Sequence, residues 1–240
     1  MEEKTKMRLN LYISRAGVCS RRKADELIKN GYVRVNGKKV IQPYIDVSEE
    51  DTVTVNRKSI SPEKYVYIAL NKPTGYICTL KDKFATKKIT DLIPKSFGRV
   101  YPVGRLDKNS SGLIILTNDG NFTQQLSHPS FNVEKEYEVT VIPKFKKEDI
   151  DILKKGIMDA DEKLSVVSLE IIKSYPTKSI ILMILKEGKK REIRRMLSHL
   201  RYHILKLKRI RIGNIHLDDL PLEKYRSLSK QEINEVLQKK

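Results

Sequence analysis

The chain has 240 residues, of which 39% are hydrophobic and 32% are charged, and its formal net charge is +18. This composition excludes a disordered chain, and the charge indicates a polyanionic partner, with nucleic acid favoured over an anionic membrane surface. No stretch approaches the roughly 20 apolar residues of a spanning helix, and the N-terminus lacks the apolar core of a secretory signal. Two cysteines are too few for a disulfide framework. We therefore expect a cytoplasmic monomer that binds no membrane.

The basic residues are concentrated in two regions of the chain. Residues 186–211 contain eleven Lys or Arg and two acidic residues, and residues 1–65 contain fourteen basic and nine acidic residues. Two such regions at opposite ends of the sequence indicate two contact surfaces on one long ligand.

Residues 8–56 predict a small unit made of a helix, a turn, a second helix and strands. A short apolar helix face ends at Gly17, and Ser20 is a suitable N-cap for a helix that runs to Lys29. Alternating apolar residues then lead to Asn36-Gly37, a strong signal for a two-residue hairpin turn. The candidate nucleic-acid contacts of this unit are its basic residues near the helix junction, namely Arg8, Arg15, Arg21, Arg22 and Lys23.

A change in pattern divides the chain into two predicted domains. Residues 57–64 ("RKSISPEK") lack apolar periodicity and resemble a linker between a domain at 1–56 and a domain at 65–240. Strand patterns in the second domain cover 65–70, 113–117, 137–142, 166–172 and 179–185, with helical patterns near 122–126 and 147–154. This order predicts an α+β fold with a mostly antiparallel mixed sheet flanked by helices.

Residues 187–200 ("EGKKREIRRMLSHL") have the periodicity of an amphipathic helix. Ile193, Met196, Leu197 and Leu200 share its apolar face. Arg191 and Arg195 fall on the far side, whereas Arg194 lies at the border between the faces, where a side chain can reach into a cleft.

A single acid stands at the start of a buried strand pattern in "GRLDKNSSGLIILTNDG", residues 104–120. Asp107 lies between Arg105 and Lys108 in this basic segment. An aspartate at such a junction commonly caps a turn, so the tetrapeptide alone leaves a structural role and a catalytic role open.

Other site chemistries find little support in the sequence. There is no P-loop, no HExxH and no GxGxxG after a strand. His199 and His203 have helical spacing, but without a third ligand nearby we predict no metal site.

The segment at 104–120 closely resembles the active-site motif of the ribosomal RNA pseudouridine synthases of the RsuA/RluB type. The resemblance continues, in the order of the family, at "NKPTGYICT", "HPSFNVEKEYEV", "EGKKREIRRM" and "LKRIRIG". The N-terminal unit is similar to the small RNA-binding domain first seen in ribosomal protein S-four. Together these matches cover essentially the whole chain.

This resemblance implies the isomerisation of a uridine in ribosomal RNA to pseudouridine. Asp107 corresponds to the nucleophile, Tyr137 to a tyrosine that stacks on the uracil, and Arg194 to a cation that pairs with the aspartate. Direct attack at C1′ and a route through a glycal both remain open, and neither needs a metal or an organic cofactor. The structural alternative for Tyr137 is a strand aromatic packed in the core.

The resemblance also implies contacts to the substrate and one rival interpretation. The expected substrate-binding residues are Arg105, Lys72, Lys189, Arg191 and Arg195. Lys189 and Glu192 depart from the family pattern, where Arg and Gln are common, and Lys189 loses the two-pronged donor of an arginine. The partner is expected to be ribosomal RNA, with a lean to the large subunit, or an assembly intermediate. The alternative is a non-catalytic RNA-binding assembly factor.

Overall fold

The computed structural model of the protein describes residues 6–48, 50–79 and 87–238. The chain divides into two compact units. Residues 1–65 with 95–99 form the N-terminal unit, and residues 66–94 with 100–240 form the C-terminal unit. None of the helices in the described ranges is long and apolar enough to cross a membrane.

The described part of the N-terminal unit contains two α-helices and six short strands around one hydrophobic core. The elements are β1 (Met7–Arg8), α1 (Leu9–Arg15), α2 (Arg21–Lys29), β2 (Val33–Val35), β3 (Lys38–Val40), β4 (Asp46–Val47), β5 (Val53–Val55) and β6 (Lys58–Ile60). Strands pair antiparallel in the order β3-β2-β5-β6, and β1 pairs with β4.

The local signals predicted from the sequence hold in this unit. The Ser20 hydroxyl accepts a hydrogen bond from the backbone N–H of Lys23 and thus caps α2. Asn36 and Gly37 have φ values of 50° and 78°, the left-handed pair that a tight hairpin turn between β2 and β3 requires.

Residues 57–64, predicted to be a linker, contain a strand in the structure. Lys58–Ile60 forms β6, which pairs antiparallel with β5, so this segment completes the N-terminal sheet. Its turn uses Asn56 and Arg57, with φ values of 50° and 65°, in place of a glycine. An edge strand is held by backbone hydrogen bonds to one neighbour, so it needs no apolar alternation that a sequence pattern would reveal.

The C-terminal unit is built on a nine-stranded sheet. Its strands and hairpin are β7 (Tyr67–Lys72), β8 (Tyr101–Val103), β9 (Ser111–Thr117), β10 (Lys135–Ile142), β11 (Ile157–Asp159), β12 (Glu162–Leu164), β13 (Ser168–Ser174), β14 (Ser179–Leu185), β15 (His203–Ile212), β16 (Ile215–His216) and β17 (Tyr225–Ser227). The helices are α3 (Gly120–Ser127), α4 (Glu148–Lys155), α5 (Glu192–His199) and α6 (Lys230–Leu237).

The strand order explains why the central segment is so apolar. The order is β13-β14-β10-β15-β9-β7-β17, with β16 on β15, β8 on β9, and β11 paired with β12 outside this sheet. All seven residues of β9 are buried, as suits a strand covered on both faces. Neighbours pair antiparallel except for β9 and β15, which run parallel. The predicted mixed, mostly antiparallel sheet is therefore confirmed.

Two hydrophobic clusters hold the helices on this sheet. One joins α4 and α5 to β10 and β14 and includes Val139, Leu153 and Met196. The other joins α3 and α6 to β9 and includes Phe122 and Val236. Packing of this kind fixes the start of α5 relative to the start of β9.

The helix predicted at 187–200 is shorter than its pattern indicated. α5 begins at Glu192, after Arg191 adopts a left-handed conformation with φ 52° and ψ 31°. Ile193, Met196 and Leu197 are buried, so the predicted apolar face is confirmed. Residues 187–191 offer no apolar position to the periodicity, so the pattern could not locate the first turn.

Candidate active site

A cavity of about 510 Å³ opens in the C-terminal unit beside the start of β9. The loop before β9, the start of α5 and strands β10, β14 and β15 contribute to its wall. Its volume is in the range that holds a small molecule or one nucleotide. Several side chains singled out from the sequence meet in the wall, namely Arg105, Asp107, Tyr137, Lys189, Arg191 and Arg194.

Asp107 and Arg194 form an ion pair in this wall. Nε of Arg194 lies 3.2 Å from Oδ2 of Asp107. The Nη2 atom of Arg194 donates to the Asn109 carbonyl at 2.9 Å and to the Ser110 hydroxyl at 3.1 Å. The side chain of Asp107 is 36% exposed, so the carboxylate is oriented by Arg194 and still accessible from the cavity.

The loop that carries Asp107 is also held from behind by Lys72. The Lys72 side chain is fully buried, and its ammonium donates to the carbonyls of Pro73, Asp107 and Ser110 at 3.0, 3.1 and 2.7 Å. Burial lowers the pKa of Lys72, and Asp107 opposes this effect. Substrate binding by Lys72 stays a prediction from the sequence; in the structure the buried Lys72 ammonium supports the loop through its carbonyls.

Backbone and thiol contacts add to this support. The backbone N–H of Gly75 donates to the Lys108 carbonyl at 2.8 Å. The Cys78 thiol donates to the Leu106 carbonyl at 3.3 Å, and Sγ accepts from the Leu106 N–H at 3.4 Å. Because Leu106 precedes Asp107, these contacts restrict where the carboxylate can move.

Tyr137 stands on β10, half-buried, in the wall of the same cavity. It packs against the hydrophobic cluster under α4 and α5. A ring supported by a core and open on another side can serve as a stacking platform for a planar ligand.

The outer part of the wall is basic. Arg105 and Arg191 are exposed there and can reach a polyanion. Lys189 donates to the Lys163 carbonyl at 2.8 Å and pairs with Glu187 at 2.5 Å. The hydrogen bond from Lys189 to Glu187 raises the pKa of Lys189. Lys189 therefore already has partners within the protein. As a lysine it also lacks the two-pronged donor that an arginine would offer to a phosphate.

The cavity and its carboxylate–arginine pair occur in a chain that matches known families over both of its units. Residues 66–199 match the model of the RNA pseudouridylate synthases, and residues 7–53 match the S4 domain. The chain belongs to the RNA pseudouridylate synthase family. The resemblance read from the five sequence motifs is therefore confirmed, as is the S-four-like character of the N-terminal unit.

Individual members of the RNA pseudouridylate synthase family are similar over the full chain. Ribosomal large subunit pseudouridine synthase B of Bacillus subtilis (strain 168) is 37% identical over 231 residues, which cover 95% of each chain. Dual-specificity RNA pseudouridine synthase RluF of Escherichia coli (strain K12) is 39% identical over 95% of this chain and 77% of its own length. A crystal structure of a pseudouridylate synthase superposes with a TM-score of 0.68 at 27% identity, covering 96% of this chain and 99% of that one.

Arg195, which was expected to contact the substrate, makes its contacts within the protein. Arg195 forms ion pairs with Asp159 and Glu162 of the β11–β12 hairpin, and its Nη2 atom donates to the Asp159 carbonyl at 2.7 Å. One residue along a helix turns a side chain by about 100°, so Arg194 and Arg195 cannot face the same region. Arg195 is therefore occupied by contacts within the protein, and its assignment to substrate binding stays a prediction from the sequence.

The expected RNA contacts of the S4 unit are mostly available. Arg8, Arg21, Arg22 and Lys23 are exposed, although Lys23 pairs with Glu26 at 2.6 Å. Arg15 differs, because its guanidinium lies 4.3 Å from the centre of the Tyr65 ring and contacts the Met7 sulfur at 3.9 Å. These contacts within the unit give Arg15 a packing role.

The two histidines with helical spacing lie at element ends. His199 is the last residue of α5 and His203 is the first residue of β15, and both are exposed. Across the described ranges, no group of three or more His, Cys, Asp or Glu side chains is placed to hold a metal ion.

The sequence did not indicate three features of the cavity wall: the half-buried Lys135, the buried Arg209 and the burial of Glu192. Burial lowers the pKa of Lys135, with Arg209 adding to the effect, and burial raises the pKa of Glu192. Their neighbours in the sequence are themselves charged, so no local pattern distinguishes them from a solvated face. A position opposite Tyr137 in the strand pairing could have identified Arg209, had the register been known.

Proposed function

We propose that the protein converts a uridine of ribosomal RNA into pseudouridine, with Asp107 as the nucleophile. The observation that carries this proposal is the Asp107–Arg194 pair at 3.2 Å in the wall of a cavity that Tyr137 also lines. Positioned carboxylates stabilise, or bond to, a sugar carbon that gains positive charge in the transition state.

The reaction breaks the bond between N1 of uracil and C1′ of ribose and joins C5 to C1′. In the direct route, Asp107 forms an ester with C1′ while the electron pair of the N1–C1′ bond leaves with uracil. In the glycal route, Asp107 removes a ribose proton, and uracil leaves with the same electron pair. C5 then bonds to C1′, the aspartate is regenerated, the C5 proton is lost and N1 gains a proton. No electrons enter or leave, so the isomerisation needs no redox cofactor.

Arg194 and Tyr137 have separate roles in this proposal. Arg194 orients the Asp107 carboxylate through Nε and the surrounding loop through Nη2. Tyr137 stacks on the uracil. The target nucleotide reaches them by leaving its stack in the RNA, which costs a few kcal/mol. Arg105 and Arg191, exposed at the cavity wall, offset this cost by contacting phosphates.

The substrate we propose is RNA of the large ribosomal subunit, free or in an assembly intermediate. The name of the Bacillus subtilis relative supports this choice, as does the net charge of +18. The exposed basic residues of the S4 unit, Arg8, Arg21, Arg22 and Lys23, bind RNA outside the cavity. The enzyme acts as a monomer in the cytoplasm.

The test is pseudouridine mapping of both ribosomal RNAs in cells that lack the protein. The cells are rescued with the wild type, with Asp107→Asn, or with Asp219→Asn, which alters an exposed carboxylate outside the cavity wall. We expect one uridine of the large-subunit RNA to lose its modification in the deletion. Wild type and Asp219→Asn restore it, and Asp107→Asn does not.

Two outcomes contradict parts of the proposal. Restoration by Asp107→Asn shows that Asp107 is not the nucleophile. If neither RNA loses a pseudouridine, ribosomal RNA is not the substrate, and the assembly-factor interpretation or another RNA takes its place. RNA binding by Asp107→Asn is measured in parallel, because a nearly isosteric change should leave affinity intact.

A further inference from the structure

Arg209 is a buried cation on β15, the strand between β10, which carries Tyr137, and β9, which follows the loop of Asp107. It stands on β15, where strand pairing places it opposite Tyr137 of β10 and opposite Gly112 at the start of β9. Its side chain lines the cavity. The backbones approach so closely here that a Cβ on Gly112 would lie 2.2 Å from the Arg209 carbonyl oxygen.

The guanidinium of Arg209 is fixed by one hydrogen bond and is incompletely paired. Nε donates to the Leu113 carbonyl at 2.8 Å, and only 5% of the residue is exposed. Its buried Nη2 atom has no acceptor within the part of the protein that the structure describes. A buried charged donor without an acceptor is costly, so a ligand or a water molecule is expected to satisfy it.

Three other cations of the wall have protein acceptors, whereas Arg105 and Arg191 are exposed to solvent. Arg194 donates to Asp107, Asn109 and Ser110, and Lys135 donates to the Lys186 carbonyl at 3.0 Å. Lys189 donates to the Lys163 carbonyl. Arg209 is thus the buried arginine of the wall, and its guanidinium keeps a hydrogen-bonding group that the described residues leave unsatisfied.

The surroundings of Arg209 favour a ligand that carries negative charge. Burial lowers the pKa of both Lys72 and Lys135, and the Arg209 guanidinium lowers both further because like charges repel one another. In a site that excludes water, a fixed donor aimed at developing charge stabilises it strongly. In the proposed reaction, that charge develops on the uracil, because the electron pair of the N1–C1′ bond leaves with it.

We propose that Arg209 donates to a carbonyl oxygen of the target uracil and stabilises the uracil anion released when the N1–C1′ bond breaks. This inference rests on the proposed function. The negative charge of the anion is shared by N1 and the carbonyl oxygens, and it returns to the aspartate when C5 bonds to C1′. Both chemical routes release the same anion, so the role of Arg209 is the same in either.

The test combines variants of Arg209 with sulfur-substituted substrates. The substrate is an RNA segment around the mapped uridine, carrying uridine, 2-thiouridine or 4-thiouridine at the target. The enzymes are wild type, Arg209→Gln, Arg209→Lys and Lys208→Gln, which removes a cation from the adjacent position of β15. Single-turnover rates of isomerisation are measured, and thermal melting verifies that each variant is folded.

We expect Arg209→Gln to react about 100-fold slower or worse with uridine. Wild type and Lys208→Gln are slowed by sulfur at the oxygen that Arg209 contacts, because sulfur is a weak acceptor. Arg209→Gln is not slowed further by the sulfur. The substitution of Arg209 and the replacement of the oxygen remove the same hydrogen bond, so their effects do not add. Arg209→Lys regains part of the rate through its charge.

The outcomes separate this inference from the proposed function. No pseudouridine from wild type overturns the proposed function itself. A folded Arg209→Gln that keeps the wild-type rate overturns only the role of Arg209. A slow Arg209→Gln with unchanged sulfur sensitivity does the same, because it shows a purely structural contribution. If Arg209→Gln does not fold, the inference is decided on Arg209→Lys, whose sulfur sensitivity must then be smaller than that of wild type.

Discussion

Two neighbouring arginines of α5 serve two different regions of the C-terminal unit. Arg194 reaches the cavity, where it holds a single carboxylate that stays 36% exposed. Arg195 reaches the β11–β12 hairpin, where its guanidinium is shared between Asp159 and Glu162. In the sequence both are arginines of one basic run, and the helix separates them.

The two sites differ in whether the carboxylate that pairs with the arginine remains accessible to a ligand. At the hairpin, Arg195 meets two acids and a backbone carbonyl, so its contacts are made within the protein. In the cavity, Nη2 of Arg194 donates to the loop that carries Asp107, and the Asp107 carboxylate remains accessible to a ligand. A carboxylate that is oriented but still accessible is what catalysis requires, whereas a shared and closed pair serves stability.

Loss of the cavity arginine is expected to have the largest effect. Arg194→Gln should slow pseudouridine formation about 100- to 1000-fold, because Asp107 loses both its orienting donor and its counter-charge. Single-turnover kinetics on a ribosomal RNA fragment measures this. Arg194→Lys should lie between wild type and Arg194→Gln, since an ammonium keeps the charge but cannot bridge Asp107 and Asn109. A rate for Arg194→Gln within threefold of wild type would show that Arg194 contributes no more to the reaction than Arg195 does.

Replacing Lys72, which is buried behind Asp107, should mainly lower the stability of the protein. Lys72→Met leaves the carbonyls of Pro73, Asp107 and Ser110 without their donor. We expect the free energy of unfolding to fall by about 3 kcal/mol, as measured by urea denaturation. Lys108→Met is the control, because it removes an exposed lysine from the same loop and should change stability by less than about 0.5 kcal/mol. Equal losses in the two variants would show that the buried contacts contribute nothing.

The smallest effect is expected at the hairpin. Arg195→Gln should lower the free energy of unfolding by about 1 kcal/mol, because the partly exposed pair with Glu162 is screened by solvent. Its single-turnover rate should remain within about threefold of wild type at a temperature where the variant is folded. A rate loss as large as that of Arg194→Gln would mean that the hairpin itself shapes the cavity, and that the two regions act as one.

Part of this site could be predicted because its signals are local. The motif around Asp107 and the border position of Arg194 were read from spacing and from resemblance, and the structure brings both into one ion pair. The roles of Lys72 and Arg195 were not predictable in this way. Both residues are cations in motifs of an RNA-modifying family, and only their burial and their partners show that they hold the protein together.

The class of protein, the composition of both units and the positions of the long apolar strands follow from the amino-acid sequence alone. They do so because hydrophobic periodicity, caps and turn residues act over a few neighbours along the chain. The folded structure was needed to show which cations make contacts within the protein and which line the cavity. Lys72 is enclosed by carbonyls, whereas Arg209 is placed beside Tyr137 by the register of two strands far apart in sequence. Burial and strand pairing join distant residues, so no local pattern can encode this distinction.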